Sequence, residues 1–91
     1  MSSVVLDQSN AMGRLVAAGR MLAGLDQVGL AALAGVSAST ISNIERGQES
    51  REDTLKAIRK ALRSCGVVNS HDKTNGSILL SLSYDEPDEE D

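Results

Sequence analysis

Residues able to do covalent chemistry are scarce in this sequence. Cys65 is the sole cysteine and His71 the sole histidine, and one of each cannot build a conventional zinc site. Serines are common, but no His and Asp stand with them as a hydrolytic triad requires. Gly13 and Gly19 do not make a phosphate-cradling loop. No catalytic residue, cofactor site or metal site is therefore expected, and the chain reads as a non-enzyme. The usable chemistry lies instead in hydrogen-bonding side chains at short spacing: Gln27, then Ser37, Ser39, Thr40, Ser42, Asn43 and Arg46. Hydroxyls, amides and a guanidinium suit polar edges and anions, provided something rigid presents them together.

The segment Gln27–Arg46, QVGLAALAGVSASTISNIER, supplies such a support. Two short helices crossing steeply need a small residue where their backbones approach, and Ala31 is one. They need a left-handed turn residue, and Gly35 follows four positions later. Leu30, Val36, Ile41 and Ile44 are spaced to pin the second helix to the first and to a core. The polar set then falls on the opposite face. This is the pattern of a helix-turn-helix whose second helix can enter a DNA major groove.

Other helices are legible around it. Met12, Leu15, Val16, Leu22 and Ala23 share a helical face, with Ser9 or Asn10 as a cap and Gly24 as the stop. Gly13 and Gly19 each weaken this helix by roughly 1 kcal/mol relative to Ala. Asp26 caps the second helix, and Ser37 the third, which ends at Gly47. Ser50 and Asp53 form a capping-box pattern before Leu55, Ile58, Leu62 and Cys65, with Gly66 closing the fourth helix. Cys65 reads as a buried small hydrophobe. Lys56, Arg59, Lys60 and Arg63 read as a solvated stripe that suits the C-terminal end of the helix dipole. Beyond Gly66 the pattern changes to short strands at Val67–Val68 and Ile78–Leu82, separated by a polar loop containing His71 and the turn dipeptide Asn75-Gly76.

Residues 12–66, about 60% of the chain, resemble the Cro and phage-repressor (XRE) family of helix-turn-helix domains. The resemblance runs through GLDQ at 24–27, LAALAGVS at 30–37, STISNIERG at 39–47 and TLKAIRKAL at 54–62. It implies a compact bundle of four or five helices that binds double-stranded operator DNA, usually as a homodimer. By position, Gln27 corresponds to a residue that bonds phosphate and buttresses the recognition helix. Ser37, Ala38, Ser39 and Asn43 correspond to positions facing base edges, where the Asn43 amide suits adenine N6/N7. Thr40 and Arg46 correspond to phosphate contacts, and Arg20 and Glu45 to an ion pair of the scaffold. Arg51, just before helix four, is a further phosphate candidate. Gly29 departs from the family pattern, which usually has a charged helix former there. With neither Arg nor Gln among the base-facing positions, base readout looks modest, and affinity should lean on phosphates, dimerisation and DNA shape.

Charge distribution agrees. The net charge of the 91 residues is -4, yet six of the thirteen acids crowd into the last seven positions. Residues 1–84 keep nine bases against seven acids, a net of +2. The expected fold class is mostly α. A flexible stretch at 1–10 precedes the helix-turn-helix domain at 11–66, a short β extension at 67–84 that could dimerise, and a disordered acidic tail at 85–91. No apolar run approaches the roughly 20 residues of a membrane span, and Met1–Asn10 lacks the features of a signal peptide. The expectation is a cytoplasmic, bacterial or phage-encoded transcriptional regulator, most simply a repressor. Two alternatives remain: an antitoxin whose extension or tail holds a protein partner, and an interaction module that has lost DNA binding.

Overall fold

Glycines and caps divide the chain into short helices, and a change of period after Gly66 ends them. The computed structural model describes residues 8–72 and 74–83. It shows α1 (Gln8–Leu22), α2 (Gln27–Ala34), α3 (Ala38–Glu45), α4 (Glu52–Ser64), β1 (Val67–Asp72) and β2 (Ser77–Leu82). The expectations for 1–7, Tyr84 and the tail at 85–91 lie outside the described residues. No single described helix is long and apolar enough to cross a membrane.

Local signals set most boundaries. Asp26 caps α2, its Oδ1 accepting the Gly29 N–H at 2.7 Å. Gly35 ends that helix at φ +74° and returns its own N–H to the Ala31 carbonyl. Ser37 is extended (φ -83°, ψ 154°) and its Oγ accepts the Thr40 N–H at 3.1 Å, opening α3. Two cap expectations fail. Ser9 and Asn10 lie inside α1, which already runs at Gln8. The Ser50–Asp53 box does not form, because Arg51 is the N-cap and Asp53 sits one position too early. Glu52 and Asp53 still occupy the first turn, where negative charge suits the helix dipole.

Leu30, Ile41 and Ile58, one each from α2, α3 and α4, are the largest fully buried side chains. Val16, Ala31, Ile44, Ala61, Leu62 and Val67 complete the core among the described residues. Leu22, assigned to the apolar face of α1, is instead 42% exposed. Cys65 is only half-buried, at the C-cap of α4.

At Gly13, α1 approaches α3 more closely than a side chain would allow. A Cβ at Gly13 would collide with the Ile44 carbonyl oxygen, whereas one at Gly19 would meet only Leu62 Cδ1 at 3.0 Å and Val67 Cγ1 at 3.5 Å. Both glycines are buried.

The hairpin pairs Val67 with Leu82 and Asp72 with Ser77 in antiparallel register. β1 runs four residues past its apolar start and takes in His71, because the ladder is made by backbone groups whatever the side chains. The turn is held by Gly76 N–H to the Asp72 carbonyl at 2.8 Å and by Asp72 Oδ1 accepting the Thr74 N–H at 2.9 Å. On the inner face Val67 is buried and Leu80 packs on the core. On the outer face Val68 and Leu79 are exposed, Leu79 by 65%.

Candidate nucleic-acid interface

α3 divides its residues cleanly between core and solvent. Ile41 and Ile44 fasten it inward, while Ser39 and Arg46 are exposed and Thr40, Ser42 and Asn43 half-buried. Ala38 is half-buried and packs against the core, so only part of its methyl faces outward.

The outward polar side chains are already linked to one another. Ser37 Oγ lies 2.8 Å from Thr40 Oγ1 and 3.1 Å from Ser39 Oγ. At the other end of the helix, Arg46 Nη2 donates to Asn43 Oδ1 at 2.7 Å. The face therefore presents two small clusters: hydroxyls over the first turn, and an amide with a guanidinium over the last.

Behind that face stands the ion pair expected from the resemblance. Arg20 Nε reaches Glu45 Oε2 at 2.7 Å and Arg20 Nη2 reaches Oε1 at 3.1 Å. Arg20 Nη1 also donates to the Leu25 carbonyl at 3.1 Å. The two side chains are 18% and 9% exposed, so this bridge is largely removed from water, unlike the exposed pairs that contribute little. Donating hydrogen bonds to Glu45 raises the Arg20 pKa; burial opposes it, and the Glu45 and Asp26 charges reinforce it. Gln27 joins the same carboxylate, its Nε2 donating to Glu45 Oε1 at 3.2 Å. The start of α2 and the end of α3 are thus tied to one anionic group on the flank of α1.

Arg51 stands apart. Its Nη2 reaches Asp53 Oδ2 at 3.4 Å, with the two side chains 83% and 71% exposed, and among the described residues it bonds no side chain of α3. Within the solvated stripe of α4, Arg59 is held by Glu52 at 2.8 Å while Lys56, Lys60 and Arg63 are exposed. A cleft of about 570 Å³ is lined by Ser9, Met12, Gln48, Glu49, Glu52 and neighbours, with no basic side chain among the described residues. Two carboxylates and no cation make it a poor place for phosphate.

One contact escaped the sequence reading. The Asn43–Arg46 bond had a signal, since residues three apart share a helix face. The Gln27–Glu45 bond is a buttress of the kind that the resemblance implied for Gln27, although its partner is fixed only by the packing of α2 on α3.

A family model described as helix-turn-helix matches residues 16–67, from the middle of α1 to the first residue of β1. No curated protein matches the chain.

Proposed function

The chain belongs to this helix-turn-helix family, of the XRE/Cro type, and on that premise we propose a sequence-specific repressor that binds a palindromic operator as a homodimer. The family's function is DNA-binding transcription regulation. The observation that carries the finer reading is the division of α3, whose Ile41 and Ile44 are locked in the core while Ser39, Thr40, Ser42 and Asn43 lie on its outward side. Such a helix, projecting small hydrogen-bonding side chains, fits the width of the major groove.

In this reading Ser37, Ala38, Ser39 and Asn43 meet base edges, and Asn43 pairs with adenine. Thr40, Arg46, Arg51 and Gln27 meet phosphates. One Gln27 amide hydrogen is held by Glu45, which leaves the second to donate outward. The dimer forms through the hairpin, whose outer face exposes Val68 and Leu79. The protein acts in the cytoplasm of a bacterium, encoded on its chromosome, a phage or a mobile element.

Selection of bound sequences from random DNA tests this directly. The expected product is a pseudo-palindrome with half-site centres about one helical turn, 10–10.5 bp, apart, bound with an affinity that falls steeply as salt rises. Enrichment of no sequence, together with no salt-dependent binding, would overturn the reading.

A further inference from the structure

An asparagine that reads adenine must present its amide in one order, with oxygen toward N6–H and nitrogen toward N7. Rotating the amide by half a turn exchanges the two ends and abolishes the match. The terminal torsion of Asn is broad and roughly two-fold, so water alone does not select an order at a partly exposed position such as Asn43. Something on the protein has to do so.

Arg46 is placed for that task. Its Nη2 lies 2.7 Å from Asn43 Oδ1, and a guanidinium carries only donors, so the atom facing it must be the amide oxygen. The distance is that of a charge-assisted hydrogen bond. Arg46 is anchored in turn, since its backbone N–H closes α3 on the Ser42 carbonyl at 3.1 Å. Ser39, one turn back on the same face, is engaged with Ser37, which leaves Arg46 as the side chain holding the amide.

The bond leaves the reading groups free. Oδ1 has two lone pairs and spends one on Arg46; Nδ2 keeps both hydrogens. One acceptor and one donor remain for adenine, and a carbonyl polarised by a cation makes its own N–H groups better donors. The guanidinium has four further N–H groups for a phosphate. We propose that Arg46 is a positioning residue for Asn43, fixing the amide in the order that adenine requires, so that backbone contact and base reading pass through one side-chain pair. The inference rests on the DNA-binding reading and adds to it a dependence between two residues.

A double-mutant comparison on the selected operator tests it. Affinities of wild type, Arg46→Met, Arg46→Lys, Asn43→Ala and Asn43→Ala/Arg46→Met are measured for sites carrying each base at the position Asn43 reads. Arg46→Met should weaken binding to every site and also shrink the preference for adenine, by about fivefold or more, the low end of a bidentate contact. In the Asn43→Ala background the same substitution should weaken all sites equally. Arg46→Lys, with its charge and one donor group, should restore affinity and part of the preference. A uniform loss for Arg46→Met, with the adenine preference intact, would overturn the positioning role and leave the DNA-binding reading standing. An unchanged base preference in Asn43→Ala would instead remove Asn43 from the reading face, and this inference with it.

Discussion

Gly13 and Gly19 look alike in the sequence and differ in what surrounds them. Each lowers the helical propensity of α1, and from that standpoint replacing either with alanine gains up to about 1 kcal/mol. At Gly13 the added methyl meets a backbone carbonyl of Ile44, which moves only if α3 moves. At Gly19 it meets the end of the Leu62 side chain at 3.0 Å, which can rotate or shift by a few tenths of an ångström. Gly13→Ala should therefore destabilise the protein by about 1–3 kcal/mol, the usual cost of overpacking. Gly19→Ala should change stability by less than about 1 kcal/mol, propensity offsetting the tighter contact. Urea unfolding of the two variants checks the contrast, and a Gly13→Ala protein as stable as wild type would mean that α1 and α3 are less tightly apposed than described.

At the scale of elements, the hairpin is both a lid and an outer surface. Val67 is only 2% exposed and belongs to the core, and Leu80 packs on it from the second strand. Ending the chain after Gly66 removes both and uncovers Leu62 and Ile58. Losing the buried valine alone removes about 1.5–3 kcal/mol, so the truncated chain should melt at least roughly 6 °C lower, as read by circular dichroism. Leu79 faces the other way and makes the opposite prediction. Leu79→Lys should alter stability by no more than about 0.5 kcal/mol, as surface changes usually do, yet should convert the proposed dimer to a monomer in sedimentation experiments. A dimer that survives the lysine places the interface elsewhere. These elements also show where sequence reading works. Asp26, Gly35 and Ser37 were legible because a cap or a left-handed turn is decided within four or five residues. The polar half of β1 was not, because Asn69 to Asp72 are strand only through their partners on β2. The start of α4 was also misplaced by local signals, since Ser50 is the better cap by residue type yet Arg51 takes the N-cap with no side-chain cap hydrogen bond. On the candidate site, Asn43 and Arg46 could be named individually from the sequence, while the bond joining them depends on the finished helix.

For the molecule as a whole, charge is the property that no single element carries. The net of +2 over residues 1–84 is opposed by six acids in residues 85–91. Those acids are tethered to the same chain that carries Arg46, Arg51 and Lys56, and like phosphates they are attracted to its cations. The attraction is screened beyond roughly 8–10 Å at physiological salt, so it should act most where binding is purely electrostatic. Deleting residues 85–91 should tighten binding to random DNA at low salt, with the gain shrinking as salt rises, and should change operator binding less. Fluorescence anisotropy across a salt series measures both. Equal random-DNA affinities for the two proteins at low salt would rule out competition by the tail.

The way α3 splits its residues has an evolutionary consequence. Ile41, Ile44, Glu45 and the backbone against Gly13 keep the helix in place, whereas Ser39, Ser42 and Asn43 project without being needed by the core. Mutations at those three positions can wander with little penalty in folding, so the molecule is free to acquire a new target while remaining the same object. Ser37 is the exception, because its hydroxyl both caps the helix and faces outward. A library that varies residues 39, 42 and 43 and holds Ser37 fixed would explore new binding specificities on an unchanged frame, and a family of mutually insulated switches could be drawn from it.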